Sequence, residues 1–199
     1  MNIAILMPAA GASSRMRGRD KLLEPVGGVP LLARQVGRAM ATQLPVYVTT
    51  RADRPARIAA LKALPRNGLH RVPVGTPDEG LAASIRAGLA GLPADTEALM
   101  VLLPDLPDIG TDDILAMIAA FRKSPDRILR AATEDGRPGH PVILPKRTFA
   151  TLAQLQGDTG AAALLRANPP RLFPLTGERA ITDLDTPEDW ANWRRKGGV

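Results

Sequence analysis

Residues 3–16, IAILMPAAGASSRM, join an apolar run to a loop of small residues, and Lys21 follows shortly after. An unbroken apolar run such as 3–7 is typical of a strand buried on both faces of a parallel sheet. Small residues let backbone N–H groups approach a polyphosphate, and the charges of Arg15 and Lys21 can neutralise one. The stretch therefore predicts a buried first strand that leads into a loop for a nucleoside triphosphate.

This loop differs from the two common phosphate-binding signatures. A Walker loop needs Gly, four residues and then Gly-Lys-Ser/Thr, whereas the gap from Gly11 to Gly18 is longer and Lys21 precedes Leu22. The dinucleotide fingerprint needs a second glycine two residues after the first, and Ser13 stands there. The loop therefore matches neither signature.

Composition limits the classes of protein that fit. The chain of 199 residues is 45% hydrophobic but only 3% aromatic, which predicts one aliphatic core and a single domain over residues 1–199. The absence of cysteine excludes disulfides, thiolate zinc sites and a cysteine nucleophile. The first residues carry no basic leader, and no apolar stretch approaches the roughly 20 residues of a membrane span. We therefore expect a cytoplasmic protein without a membrane segment.

The charge of the chain favours an anionic ligand. Lys and Arg number 26 against 20 Asp and Glu, which gives a formal net charge of +6. Apart from residues 194–196, the basic residues are scattered, and the few aromatic residues form no stacking series with them. This distribution favours a small phosphorylated metabolite over nucleic acid or a membrane surface.

Apolar runs alternate with amphipathic helical segments, which is the pattern of a doubly wound α/β sheet. Strands are predicted near residues 2–8, 45–50, 70–74, 98–103, 128–132, 141–144 and 171–175. Helices are predicted at residues 30–41, 54–64, 77–91, 112–123, 147–155, 159–167 and 187–195. Ligands of such sheets bind at the carboxyl ends of the strands.

Two predicted helices begin with the same capping signal. Thr76-Pro77-Asp78-Glu79 and Thr186-Pro187-Glu188-Asp189 each place Thr at the N-cap, Pro at the first helical position and an acid at the third. In the helix 77–91 the spacing of large apolar residues predicts a buried stripe of Leu81, Ile85, Leu89 and Leu92.

Carboxylates that follow extended segments are candidate metal ligands. Asp105 follows the predicted apolar strand 98–103 and lies between Pro104 and Pro107. A lone carboxylate at such a point suits Mg²⁺, which takes one or two carboxylates and leaves its other positions to water and phosphate, although a turn residue has the same appearance. Asp183 and Asp185 point to one side of an extended segment and could bring a second carboxylate.

The two histidines have different surroundings. His140 lies between Gly139 and Pro141 in a polar loop, where proline holds it extended, so it can be aimed into a cleft. His70 has no such context, and we expect it on the surface.

Residues 8–32, PAAGASSRMRGRDKLLEPVGGVPLL, resemble the signature of the nucleotidyltransferases that include the molybdenum cofactor cytidylyl- and guanylyltransferases. Other similar segments occur in the family's order at residues 80–85, 104–107, 136–144, 157–161 and 183–189. Two residues depart from the pattern, because Arg17 is inserted before Gly18 and Pro104 replaces a glycine. The resemblance implies one Rossmann-like, three-layer nucleotidyltransferase domain with a mainly parallel mixed sheet.

The resemblance also implies roles for individual residues. Arg15, Lys21 and Asp105 would be catalytic. Asp105 and Asp185 would bind Mg²⁺, with Asp185 favoured over Asp183. His140 and Asp158 would bind the acceptor. The nucleotide would be bound by Pro8, Ala9, Ala10, Gly11, Ser14, Arg15, Lys21, Gly80, Ser84 and Asp105.

The reaction implied by the resemblance is nucleotidyl transfer with release of pyrophosphate. The opening Pro8-Ala9-Ala10-Gly11 is similar to that of the cytidylyl branch, whereas the guanylyl branch carries Leu-Ala-Gly-Gly, so CTP is the expected donor. The acceptor would be the phosphate of molybdopterin, and the partners would be molybdenum hydroxylases or their maturation chaperone. Alternatives are GTP or another phosphorylated acceptor, an NAD(P)-linked reductase that shares the Gly-His-Pro segment, and a basic nucleic-acid binder.

Overall fold

A computed structural model of the chain describes residues 1–75, 80–157 and 161–198. Their strands are β1 (Ile3–Pro8), β2 (Pro25–Val26), β3 (Val29–Pro30), β4 (Val46–Thr50), β5 (Leu69–Pro73), β6 (Ala98–Val101), β7 (Leu129–Ala132), β8 (Pro138–Pro145) and β9 (Arg171–Pro174). Their α-helices are α1 (Leu31–Met40), α2 (Pro55–Lys62), α3 (Gly80–Ala90), α4 (Thr111–Arg122), α5 (Phe149–Leu152), α6 (Ala162–Ala167) and α7 (Pro187–Arg195). None of the helices in these ranges is long and apolar enough to cross a membrane.

Within the described ranges, the main sheet has seven strands in the order β5-β4-β1-β6-β8-β7-β9. Only β8 runs against its neighbours, β6 and β7, and the other pairings are parallel. Helices cover both faces, since one buried cluster joins the sheet to α1, α2 and α4, and a second joins it to α3, α5 and α6. The three-layer α/β fold with a mainly parallel mixed sheet is thus confirmed.

The first strand is buried on both faces, as its composition predicts. Ile3, Ile5 and Met7 belong to the cluster with α1 and α4, whereas Ala4 and Leu6 belong to the cluster with α3. Because side chains alternate along a strand, an unbroken apolar run is what a central strand between two helical layers requires.

Helix α3 packs on the sheet through small residues as well as through the predicted stripe, of which Ile85 is buried and the leucines are partly buried. Its buried residues are Ala82, Ala83, Ser84, Ile85 and Gly88, while Leu81 and Leu89 are only partly buried. A Cβ on Gly88 would lie 2.3 Å from Cδ1 of Leu6. The close approach of helix and sheet selects small side chains, and the stripe prediction missed them. Its proposed cap, Thr76 to Glu79, lies outside the described residues.

A two-stranded ribbon, β2 with β3, was missed by the sequence prediction. Its turn is Gly27-Gly28, with φ of 58° and 79°. Two positive φ angles between paired residues are the mark of a tight hairpin, and a Gly-Gly pair between apolar residues is the signal for one. The predicted helix 147–155 was also too long, because α5 ends at Leu152.

Helix α7 begins as predicted and packs against the loop that follows β1. The Thr186 hydroxyl accepts a hydrogen bond from the Asp189 N–H at 3.1 Å, and Pro187 follows the cap. The helix buries Trp190 and Trp193 in a cluster that includes Met16 of the loop after β1. The C-terminal segment therefore lies against the loop predicted to bind the triphosphate.

Candidate active site

Three charged side chains meet at the carboxyl ends of β1 and β6. Lys21 Nζ donates to Asp105 Oδ2 and to Asp185 Oδ1, and each distance is 2.5 Å. Because both oxygens contact the same nitrogen, one cation can lie between the two carboxylates. Burial opposes the charge on Lys21, but Asp105 and Asp185 outweigh it and raise the pKa of Lys21 above its ordinary value. Lys21 is therefore a cation at neutral pH.

Asp105 is held in place by a backbone hydrogen bond, and one of its carboxylate oxygens has no hydrogen-bond partner among the described residues. Its carbonyl accepts a hydrogen bond from the Leu184 N–H at 3.1 Å, which ties the segment after β6 to the segment that carries Asp185. Asp105 Oδ1 is buried and has no hydrogen-bond partner among the described residues. A buried oxygen without a partner is costly unless a ligand satisfies it.

The two carboxylates fit Mg²⁺. No group of three or more His, Cys, Asp and Glu in residues 1–75, 80–157 and 161–198 could by itself hold a metal ion. Magnesium usually takes only one or two protein carboxylates and fills its remaining positions with water and substrate phosphates. The paired oxygens of Asp105 and Asp185, together with the unsatisfied Asp105 Oδ1, match that requirement.

Asp185, rather than Asp183, contacts the basic residues. Arg15 Nη1 lies 2.7 Å from Asp185 Oδ2, whereas Lys21 contacts the other oxygen, Oδ1. The Asp183 carboxyl is near both other carboxylates, and its pKa is raised first by partial burial and then by the negative charges of Asp185 and Asp105. This arrangement favours Asp185 as the second metal ligand.

The inserted residue Arg17 is accommodated without moving Lys21 away. Arg17 has φ and ψ of 50° and 50°, a left-handed conformation that closes the 3₁₀ turn Ser14–Met16. Its guanidinium, at 2.6 Å, binds Glu188 of α7. The additional residue therefore lies in a turn, and its side chain binds α7. Lys21 still contacts both carboxylates.

Arg57 of α2 organises the loop, and the sequence prediction missed it. The side chain is 1% exposed, and it donates to Ala9 O at 2.7 Å, Gly11 O at 2.8 Å and Ser13 Oγ at 2.9 Å. It also holds both oxygens of Asp20, at 2.7 and 2.8 Å. Because Asp20 directly precedes Lys21, Arg57 fixes the start and the end of the loop together.

The first two small residues after β1, Ala9 and Ala10, face the protein rather than the solvent. Ala9 donates its N–H to Thr49 O at 3.0 Å, and its carbonyl accepts from Arg57, so both of its backbone groups are used within the fold. Ala10 is 3% exposed and packs on Val74 and Ala83. Contacts to a nucleotide therefore fall to the residues beyond Ala9.

The other predicted nucleotide residues differ in exposure. Pro8 is partly buried at the end of β1, whereas Gly11, Ser14 and Arg15 are exposed. Gly80 begins α3 with a φ of 64°. Ser84 is only 3% exposed, on the face of α3 that packs against the sheet. The side chain of Ser84 is therefore directed towards the sheet, and its contact with a nucleotide stays a prediction.

His140 lies within β8 rather than in the polar loop expected from the sequence, and it is near enough to Asp105 for that charge to act on its pKa. The backbone N–H of His140 donates to Ala180 O at 2.9 Å, and a Cβ on the preceding Gly139 would lie 2.0 Å from that oxygen, so only glycine fits there. Burial and then the positive charge of Arg130 lower the pKa of His140 from 6.5 to about 4, against an opposing effect of Asp105. The imidazole is therefore neutral at pH 7. The other predicted acceptor residue, Asp158, lies outside the described residues.

This neutral histidine predicts a loss of stability in acid. Since the pKa of His140 falls from 6.5 to about 4 on folding, the unfolded chain binds a proton between these pH values and the folded protein does not. As the pH decreases from 6.5 to about 4, the free energy of unfolding is expected to decrease, and His140 accounts for up to about 3 kcal/mol of that decrease. Denaturant unfolding of the protein and of His140→Asn at about pH 7.5 and about pH 5 measures the effect.

The second histidine supplies the matched control. His70 is exposed on β5 and stacks on Tyr47 with 4.6 Å between ring centroids, which confirms the surface prediction. The His70→Asn variant should keep the acid-dependent loss, and His140→Asn should reduce it. An unchanged loss in His140→Asn would contradict the account.

Comparison with known proteins gives the family. The sequence pattern of the MobA-like NTP transferase domain matches residues 5–172. The chain belongs to this family. The matched range contains the loop after β1, Asp105 and His140, and ends before Asp185.

Individual relatives agree with the family. The chain is 34% identical to a molybdenum cofactor guanylyltransferase of Burkholderia vietnamiensis over 169 residues, which is 82% of this chain and 76% of the relative. It is 32% identical to a molybdenum cofactor guanylyltransferase of Rhodobacter capsulatus over 96% of this chain and 90% of the relative.

Among solved structures, the chain resembles Rv0371c of Mycobacterium tuberculosis H37Rv. The TM-score is 0.83 at 25% identity, over 98% of both chains. The same protein has been solved in complex with manganese, with a TM-score of 0.79 at 24% identity over 96% and 97% of the chains.

Proposed function

We propose that this nucleotidyltransferase transfers a nucleoside monophosphate from a nucleoside triphosphate to the phosphate of a molybdopterin-type acceptor and releases pyrophosphate. The observation that carries the proposal is the contact of Lys21 with both Asp105 and Asp185 at the end of a phosphate loop. The acceptor is inferred from relatives that are named molybdenum cofactor guanylyltransferases. Family membership favours this reaction over the reductase alternative.

The residues of the site supply positioning and charge rather than a covalent nucleophile. An oxygen of the acceptor phosphate attacks the α-phosphorus of the nucleotide, and the bond to pyrophosphate breaks. Arg15 and Lys21 stabilise the charge on the phosphates during this exchange. Asp105 and Asp185 would hold Mg²⁺, which supplies Lewis-acid stabilisation of the phosphoryl oxygens when it is bound.

Metal and nucleotide are expected to bind together. A divalent cation and the Lys21 ammonium compete for the same oxygens of Asp105 and Asp185. The triphosphate offers Lys21 and Arg15 other anionic partners, so it makes the carboxylates available to the metal. The manganese complex of Rv0371c agrees with a divalent cation in this fold.

We propose CTP as the donor, on the basis of Pro8-Ala9-Ala10-Gly11. The names of the curated relatives favour GTP instead. The Ala10 methyl is packed against Val74 and Ala83, so a glycine at this position would leave more room beside the loop. We infer that this packing, which fixes the loop against α3, sets the space in which a pyrimidine is preferred to the larger purine.

Turnover with each nucleotide tests the proposal. With Mg²⁺ and molybdenum-loaded molybdopterin, we expect pyrophosphate release with CTP to exceed that with GTP, and mass spectrometry to detect the cytosine dinucleotide. The Ala10→Gly, Pro8→Leu double variant should erode the preference. Higher use of GTP by the unaltered protein would refute the choice of base, and no release with any nucleotide would refute the reaction. The product would pass to molybdenum hydroxylases or their maturation chaperone.

A further inference from the structure

Arg130 of β7 is a partly buried cation that has no anionic partner among the residues that the structure describes. Its Nε donates to the Gly139 carbonyl at 2.9 Å, and no carboxylate of residues 1–75, 80–157 or 161–198 forms an ion pair with it. Burial lowers the pKa of Arg130, so the fold keeps this charge at a cost. Partly buried charges are usually paired, and an unpaired one indicates a place for an anion.

A second arginine nearby shows the ordinary arrangement. Arg137, on the loop between β7 and β8, lies 3.0 Å from Asp135 and 2.9 Å from Glu178. Its charge is compensated at the surface, where about half of the side chain is exposed. The lack of a carboxylate at Arg130 is therefore a property of that position and not of the whole segment.

Arg130 and the phosphate loop lie on opposite sides of Asp105. Arg130 pairs with Val142 in the β7–β8 ladder, two residues from His140. In the sheet, β6 lies between β1, which leads into the loop, and β8, which carries His140. Asp105 follows β6, so the carboxylate site has the triphosphate loop on one side and the Arg130–His140 pair on the other.

We propose that Arg130 and His140 bind the phosphate monoester of the acceptor. This inference rests on the proposed function, and it names the protein groups that would hold the nucleophilic phosphate next to Asp105. A guanidinium offers a planar fork that matches two phosphate oxygens. A neutral imidazole can donate one N–H to a third oxygen, and its lack of charge leaves the nucleophile more electron-rich than a second cation would.

The arrangement separates the two phosphate groups of the reaction. Arg15 and Lys21 serve the donor, and Arg130 with His140 serves the acceptor. Because the two cationic sites lie on opposite sides of the carboxylates, the acceptor phosphate can approach the α-phosphorus away from the departing pyrophosphate, as an in-line displacement requires.

Arg130→Gln tests the site, with Arg137→Gln as the matched control. The probe is inorganic phosphate, titrated against protein saturated with Mg²⁺ and a non-hydrolysable CTP analogue, or the GTP analogue if GTP is the donor, by calorimetry. We expect Arg130→Gln to weaken phosphate binding and to raise the acceptor KM, each by about tenfold or more, because one charge-assisted contact is lost. The affinity for the nucleotide should stay within about twofold of the parent in both variants.

A conservative variant keeps the test valid if Arg130→Gln folds poorly. Arg130→Lys retains the charge without the fork, and we expect an acceptor KM between those of the parent and Arg130→Gln. Equal effects of Arg130→Gln and Arg137→Gln, or unchanged phosphate binding in a folded Arg130 variant, would overturn the proposal. Phosphate binding that depends on Arg130, without turnover of molybdopterin, would refute the proposed acceptor and leave the phosphate site standing.

Discussion

Asp105→Asn is expected to leave the fold intact and to lower turnover by about a hundredfold or more, the usual cost of losing one electrostatic stabiliser of a transition state. The amide has the shape of the carboxylate, so the backbone bond from Leu184 to the Asp105 carbonyl persists. What is lost is the negative charge that binds Lys21 and fits a divalent cation. Steady-state pyrophosphate release over a range of Mg²⁺ concentrations measures the change.

Asp108→Asn is the matched control for this prediction. Asp108 lies on the same segment after β6, and its Oδ1 accepts from Trp193 Nε1 at 2.9 Å. An amide oxygen can accept the same bond, so Asp108→Asn should keep near-parental turnover and melting temperature. Near-normal Mg²⁺-dependent turnover by a folded Asp105→Asn protein would remove the carboxylate site from the mechanism.

The layers of the fold and the position of the site could be predicted because the signals are local. The apolar run 3–7 indicates a central strand, and the Thr186-Pro187 start of α7 is a capping motif. The meeting of Lys21 and Asp105 could also be expected, since the carboxyl ends of neighbouring parallel strands lie at one edge of a sheet. Asp185 lies before α7 and follows no strand directly, so its place beside them was expected only from the family resemblance. Such features depend on short stretches of sequence.

The remaining features depend on contacts between distant parts of the chain. Arg17 binds Glu188, and Met16 packs on Trp190, although more than 150 residues separate the partners. The small-residue face of α3 is set by how closely that helix approaches Leu6. No periodicity within one segment contains this information, so the sequence prediction named the stripe with Ile85 and missed the small residues buried beside it.

Arg57 is the clearest example of such a residue. Along α2 only Arg57 and Leu61 are buried, so the buried face of a short helix carries an arginine at the position where a leucine would ordinarily stand. The spacing of four residues marks Arg57 as inward-facing, but the pattern does not reveal its partners. These partners, two carbonyls, a hydroxyl and a carboxylate of the phosphate loop, become visible only in the folded structure.

Arg57→Ala is therefore expected to cost about 3 kcal/mol or more in the free energy of unfolding, because it leaves the carboxylate of Asp20 partly buried without its partner. For a chain of this size the melting temperature should fall by about 10 °C. The carbonyls of Ala9 and Gly11 also lose their donor, so the loop loosens and the nucleotide KM should rise. Denaturant unfolding and nucleotide kinetics measure the two effects.

A double-mutant cycle separates the loss of the Arg57–Asp20 ion pair from a general destabilisation of α2. If the uncompensated Asp20 carboxylate is the main cost, Asp20→Asn in the Arg57→Ala background should recover at least about 1 kcal/mol, whereas Asp20→Asn alone should destabilise the parent. The control is Arg54→Ala, since Arg54 lies on the preceding turn and makes one 3.2 Å bond to Ala12 O. Equal losses from Arg54→Ala and Arg57→Ala, or additive effects of the Arg57 and Asp20 changes, would show that the buried arginine does not hold the ends of the phosphate loop together through Asp20.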